Sequence, residues 1–299
     1  MQRSALLTWF GVVLIWSTTP LAIQWSAQGA GFLYSLMTRM LVASALFALI
    51  VAWRRHGELF TRGGMIASLV AGFGIYASMM LVYWAAQFIP SGLIAVLFGL
   101  SPLAAALWSQ WLLPGDRITR LGIVGVIIGI AGLWIIFGSG ESLSAAAIPG
   151  TIAALIGVTI QNGTMVVLKR YGVEQSALTM TAGGVIVAAI LYLPSWWLIG
   201  APIPAEIPLR AVLAIVYLGV AGSVLGFMLY FSLLKRISAV SLSLVTLITP
   251  VTALLLGQWL NAEDLPREVW FGVACIMTGL VLYQFGGWRA MRASYRTLR

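Results

Sequence analysis

Of the seventeen lysines and arginines in this chain, only Arg39 falls inside a long apolar stretch. An ionised side chain in hydrocarbon is costly and marks a functional site by default. Two readings of Arg39 stand open. About seven residues from the end of its segment, it can snorkel or bond carbonyls at a broken helix; alternatively it attracts a substrate carboxylate. No acid or histidine keeps it company: the eight acids lie in connections or at segment ends, and the single histidine, His56, is in the first connection. The segments thus offer no nucleophile with a base, no metal site and no titratable proton relay, which makes an enzyme a poor fit and argues against proton coupling. Cys275 stands alone, so neither an internal disulfide nor a metal cluster is expected. The chain has no Gly-x-x-x-x-Gly-Lys loop for ATP, and no cofactor is called for.

The polar and aromatic residues at mid-segment are the remaining candidates, for lining a substrate cavity. Tyr76, Met80, Tyr83 and Gln87 share one helical face by their spacing. Ser223, Phe227 and Tyr230 stand at the matching places in a later segment. Ser243, Thr246 and Pro250 share a face, and Ala95, Phe98 and Pro102 are their counterparts. Trp16 and Thr19 lie midway along the first segment, and the adjacent amides Gln161 and Asn162 midway along the sixth. A buried amide in hydrocarbon must find a partner, so it faces the bundle interior or a watered cavity. Ordinary packing, interhelical hydrogen bonding and, for Ser243 and Thr246, bonding back to their own helix are the competing readings. Trp25, Trp53, Trp108, Trp111, Trp196, Trp197, Trp259, Trp270 and Trp288 lie near segment ends, as interfacial anchors do.

The elements that must position these residues are membrane spans. Charged residues make up 8% and apolar residues 61% of the 299, with mean hydropathy +1.00, whereas a soluble domain is about 25% charged. Ten segments are long enough to cross about 30 Å of hydrocarbon: residues 4–26, 32–53, 65–87, 90–113, 119–137, 147–169, 176–199, 210–234, 238–260 and 267–288. The expectation is an all-α integral membrane protein of ten transmembrane helices. Apart from Arg39, fourteen basic residues fall on one side and only Arg210 and Arg267 on the other, beside five of the eight acids. The positive-inside rule then puts both termini in the cytoplasm. It also explains the net charge of +9 without a nucleic-acid partner, although the basic tail at 291–299 can rest on anionic lipid. The first segment is too long for a cleavable signal peptide and is read as retained.

The chain is also a tandem duplication. Pro102 and Pro250 are each followed nine residues later by Trp (Trp111, Trp259) and fourteen later by Asp (Asp116, Asp264). Tyr83 to Ala86 matches Tyr230 to Leu233, and Gly125 and Gly132 match Gly272 and Gly279. Residues 1–140 form one five-span repeat and 146–290 the other, and an odd span count inverts the second relative to the first. Such a five-plus-five plan is recurrent in transporters, with substrate held where the copies meet. Each proline removes a backbone hydrogen bond in mid-span. The pair reads as two hinges gating opposite sides of one site, or as static bends. Segments 5 and 10, plain aliphatic helices with glycine stripes, are expected at the periphery. The chain is read as a monomer, with the stripe as the alternative seam of a homodimer.

These features together, with Trp16-Ser17-Thr18-Thr19-Pro20, Arg39 and the two Pro-to-Asp blocks, resemble the drug/metabolite transporter superfamily, EamA type. The likeness runs through both copies and is strongest to the YddG-type amino-acid exporters of bacterial inner membranes. It implies alternating-access export of amino acids, aromatic ones included, or of similar small zwitterions. The residues alone say that the substrate is not multiply charged, since phosphorylated sugars would want several central cations. Efflux of hydrophobic cations, or a lipid flippase or scaffold, are the alternatives.

Overall fold

The computed structural model describes residues 3–113, 118–138, 147–171, 175–234, 236 and 239–297. Asp116 therefore lies outside the described residues, as do the side chains of Ser243 and of the tail. All regular structure among the described residues is helical: α1 (Arg3–Ala30), α2 (Phe32–Trp53), α3 (Arg62–Ala85), α4 (Ser91–Gly99), α5 (Ser101–Leu112), α6 (Arg120–Gly138), α7 (Ala147–Arg170), α8 (Ala177–Ile199), α9 (Leu209–Tyr217), α10 (Gly226–Leu234), α11 (Ala239–Asn261) and α12 (Arg267–Thr297). A short 3₁₀ turn, Gly57–Phe60, precedes α3, and a π-helical stretch, Leu218–Leu225, joins α9 to α10. Nine candidate spans among the described residues are long and apolar enough to cross a membrane, and Arg120–Ile136 is a shorter apolar helix. Helices are what apolar runs of this length must form in lipid, where only intrahelical bonds satisfy the backbone.

Two departures from regular spans shape the centre. The fourth segment is two helices rather than one kinked helix. Gly99 ends α4, Leu100 turns the chain (φ −74°, ψ −2°), and Pro102 sits in the first turn of α5, where a missing N–H costs nothing. Pro250, its counterpart in the duplication, lies buried within the unbroken α11. The two prolines are thus not structurally equivalent. The reason is local: a glycine, Gly99, stands three residues before one proline and Leu247 three before the other, and glycine is the poor helix former. Gly99 also lies under the Pro250 ring, a Cβ at that glycine falling 3.0 Å from Pro250 Cγ. The second departure is the π stretch, whose wider turn has Ser223 Oγ donating to the Leu218 carbonyl at 2.9 Å, five residues back.

The glycine stripes of α6 and α12 face each other. A Cβ at Gly125 would lie 2.4 Å from the Gly279 carbonyl oxygen, and one at Gly132 would lie 2.6 Å from that of Gly272. The stripe is therefore filled within one chain and not left open as a dimer seam. Isoleucines 123, 127 and 130 and Trp134 point outward from α6, as a peripheral helix requires.

Carboxylates fasten the ends of the bundle. Glu58 accepts from the Ser176 amide and the Thr179 hydroxyl, both at 2.8 Å, beside His56 at 3.1 Å. This ties the α2–α3 turn to the start of α8. Hydrogen bonds from the Ser176 side chain and amide and from Thr179 hold its carboxyl down at about 2. At the opposite end Glu263 accepts from the Ser91 amide (3.0 Å) and hydroxyl (2.6 Å) at the start of α4, where the helix dipole favours negative charge. Asn261 donates to Glu263 at 3.1 Å and to Gln24 at 2.9 Å, and accepts from Trp25 at 2.8 Å. Gly257 leaves room for Glu263, whose Oε2 would be 2.4 Å from a Cβ there.

Candidate functional site

Arg39, 5% exposed, is the charge at the heart of the structure. Its Nε donates to Ser223 Oγ and its Nη1 to the Tyr83 hydroxyl, both at 3.2 Å. Its guanidinium carbon stands 5.8 Å from the Tyr83 ring centroid. Neither backbone snorkelling nor an ion pair describes it: among the described residues the one ion pair is His56–Glu58, at the bundle's end. A buried cation held by two neutral hydroxyls keeps unused hydrogen-bonding capacity and an unbalanced charge. Tyr83, fully buried, is thus a structural partner of Arg39.

Three expected cavity aromatics meet across α1 and α10. Trp16 lies 4.8 Å from the Tyr230 ring and 6.3 Å from Phe227 between centroids. Thr18 and the Tyr217 hydroxyl are 2.5 Å apart. Thr19 donates to the Ile15 carbonyl at 2.7 Å. Its oxygen faces Gly222, beside Arg39: a Cβ at that glycine would lie 3.5 Å from Thr19 Oγ1 and 3.7 Å from Arg39 Nη2. Arg39, Thr19 and Trp16 therefore follow one another along the wall formed by α1 and the π stretch.

Tyr76 turns instead toward α8, its hydroxyl 2.7 Å from Ser195 Oγ and its ring 4.9 Å from that of Tyr192. Tyr192 donates to the Tyr76 carbonyl at 2.8 Å. Met80 and Phe98 are half-buried against the main core. Gln161 accepts from Ser78 at 3.2 Å, whereas Asn162 bonds back to the Val158 carbonyl at 2.8 Å. Thr246 accepts from Gln284 of α12 at 3.4 Å. Gln87 lies beyond the end of α3 and is exposed, off the face the spacing gave it. Gly222, Tyr217, Tyr192 and Ser195 were not singled out from sequence as site residues, and Ser223 was read only as the counterpart of Tyr76, not as a partner of Arg39. Only the glycines at 219, 222 and 226, three and four apart, signalled a close approach there. Trp25 and Trp108, read as interfacial anchors, also donate within the chain, to Asn261 at 2.8 Å and to the Thr159 carbonyl at 3.0 Å.

The comparisons with known proteins agree with this architecture. One solved crystal structure superposes with a TM-score of 0.64, covering 94% of this chain and 96% of that one at 22% identity, a likeness of fold. The chain is 28% identical to "Uncharacterized inner membrane transporter YedA" of Escherichia coli (strain K12), over 93% of this chain and 89% of that protein. It is 26% identical to the "Probable terminal-alkyne amino-acid exporter" of Streptantibioticus cattleyicolor, over 90% of each. It is 25% identical to the "S-adenosylmethionine/S-adenosylhomocysteine transporter" of Chlamydia trachomatis serovar L2, over 89% of this chain and 84% of that one. The model of the EamA-like transporter family matches twice, at residues 3–138 and 148–285, and with both copies of the repeat fitted in this way the chain belongs to the EamA-like transporter family, within the drug/metabolite transporter superfamily.

Proposed function

We propose that this transporter exports amino acids, aromatic ones included, or similar small zwitterionic metabolites across a bacterial inner membrane. The observation that carries the reading is Arg39, a buried cation with no carboxylate partner among the described residues, next to an aromatic wall of Trp16, Phe227 and Tyr230. Such a centre repels hydrophobic cations and favours a substrate that brings one carboxylate and an apolar side chain. The two relatives named for substrates support it, since an amino-acid exporter and an S-adenosylmethionine transporter both handle the α-amino acid group.

The working cycle is alternating access by two inverted five-span copies, with both termini cytoplasmic as the charge asymmetry indicates. The α4–α5 joint beside Pro250 is the flexible element in this reading, with Pro102 and Pro250 as its two faces. The substrate moves down its own gradient without a proton. Purified protein in liposomes tests the class directly. Counterflow of labelled phenylalanine, threonine or methionine is expected, and movement of cationic dyes alone would refute it.

A further inference from the structure

Resting on the amino-acid reading, we propose that the notch between Gly222, Arg39 and Thr19 is the subsite for the α-carboxylate and α-ammonium of the substrate, with Gly222 keeping it open. Arg39 carries five N–H donors in a rigid fork. Two are spent, on Ser223 and Tyr83, and those two partners, on the π stretch and on α3, fix the direction of the fork. Nη2 makes no hydrogen bond among the described residues and faces Gly222. Thr19 commits its hydroxyl hydrogen to Ile15, which leaves oxygen lone pairs to accept an ammonium N–H. A donor fork and a free acceptor on two sides of one notch match the two ends of a zwitterion.

Gly222 differs from its neighbours on the same face. A Cβ at Gly219 would come within 2.7 Å of Val42, a clash, and one at Gly226 within 3.0 Å of Trp16 Nε1, a tight contact, so packing bears on both positions. At Gly222 a Cβ finds its nearest atom, Leu218 Cδ2, at 3.4 Å, an ordinary contact. Packing does not require a glycine there, but a methyl would stand between an incoming carboxylate and Nη2. The scale fits as well. Trp16 precedes Thr19 by three residues of α1, and Phe227 at the start of α10 follows Gly222 of the π stretch by five, separations of about 4.5 to 7.5 Å along the helix axes. That is of the order of the separation between the carboxylate and the ring of an aromatic amino acid.

The test compares wild type with Gly222→Ala and Thr19→Val in detergent. It measures dissociation constants for L-phenylalanine, phenethylamine and 3-phenylpropionate, melting temperature, and the effect of sodium chloride. Wild type is expected to favour phenylalanine over both analogues by about tenfold or more. Gly222→Ala should melt no lower than wild type, as alanine is the better helix former. It should bind phenylalanine about tenfold more weakly and lose its preference over phenethylamine. Thr19→Val should lose the preference over 3-phenylpropionate. The proposal is overturned if both variants bind phenylalanine as wild type does, or lose all three ligands equally. It is also overturned if chloride stabilises wild type without competing with phenylalanine, which makes the notch an inorganic-anion site. Wild type that binds no amino acid at all defeats the underlying functional reading instead.

Discussion

Replacing Glu263 with glutamine probes how firmly one end of the bundle is held shut. Its carboxylate takes the Ser91 amide at 3.0 Å, the Ser91 hydroxyl at 2.6 Å and Asn261 at 3.1 Å, with the Gly92 amide at 3.4 Å. These bonds join the start of α4 to the α11–α12 turn and, through Asn261 and Gln24, to α1. Glutamine keeps one acceptor but turns an NH₂ group toward an amide that also donates, and it removes negative charge from a helix N-terminus. Hydrogen bonds to a charged group contribute about 1.5–3 kcal/mol against about 1 for neutral ones, and the dipole term is about 0.3–1 kcal/mol. Because the site is partly exposed, a net loss of about 2 kcal/mol is expected, roughly 30-fold in the constant for holding that end closed. A double-mutant cycle with Ser91→Ala, read by thermal melting, should give a coupling of about 1.5 kcal/mol. In a Cys275→Ser background, maleimide labelling of Gln24→Cys should accelerate by about the same 30-fold factor. Coupling below about 0.5 kcal/mol, the ordinary additivity error, with unchanged labelling would refute the latch.

Glu58 should confer a pH-dependent stability of the opposite end. Its folded value, about 2, lies below the usual carboxylate value of about 4.3, so its contribution is present above that value and is lost as pH falls toward 2. The melting gap between wild type and Glu58→Gln should be open at pH 6 and close over that window; a constant gap contradicts the assignment. Gly279→Ala places a methyl 2.4 Å from the Gly125 carbonyl oxygen, and overpacking of this kind costs about 1–3 kcal/mol. It should lower the melting temperature while amino-acid affinity in the folded fraction stays unchanged; a wild-type melt would show that the seam is loose. Pro102→Ala restores an N–H at the α4–α5 joint and lets the two helices fuse. Flux should fall while the melting temperature holds or rises, and equal losses in both would make the proline a purely structural bend.

The spans and the duplication were legible because a membrane demands apolar length and the two copies keep matching residues, and the family model matches the chain twice, at 3–138 and 148–285. The fate of each proline was not legible from the duplication alone. Pro102 and Pro250 match in sequence, but breaking the helix also depended on Gly99, and tolerating Pro250 inside α11 depended on what lay beneath it. The π stretch escaped because a π turn is rare and, at eight residues, too short to leave a repeating pattern in the sequence. With it went Ser223 as the holder of Arg39. Arg39 itself was visible as the lone charge in a span, while its partners Tyr83 and Ser223, 44 and 184 residues away, are set by tertiary packing. Glu263 read from sequence only as one of the acids in the connections and Asn261 carried no signal, since a carboxylate capping a helix from a distant turn leaves no local pattern.

The central claim, a zwitterion carried without a proton, is tested most directly by the steady-state distribution of labelled L-phenylalanine across proteoliposomes under an imposed gradient of about two pH units. At about 1.36 kcal/mol per unit, one coupled proton would sustain roughly 100-fold accumulation. The account predicts rapid equilibration to equal concentrations inside and out, whichever way the gradient points. Accumulation that follows the proton gradient and collapses with it would contradict the account.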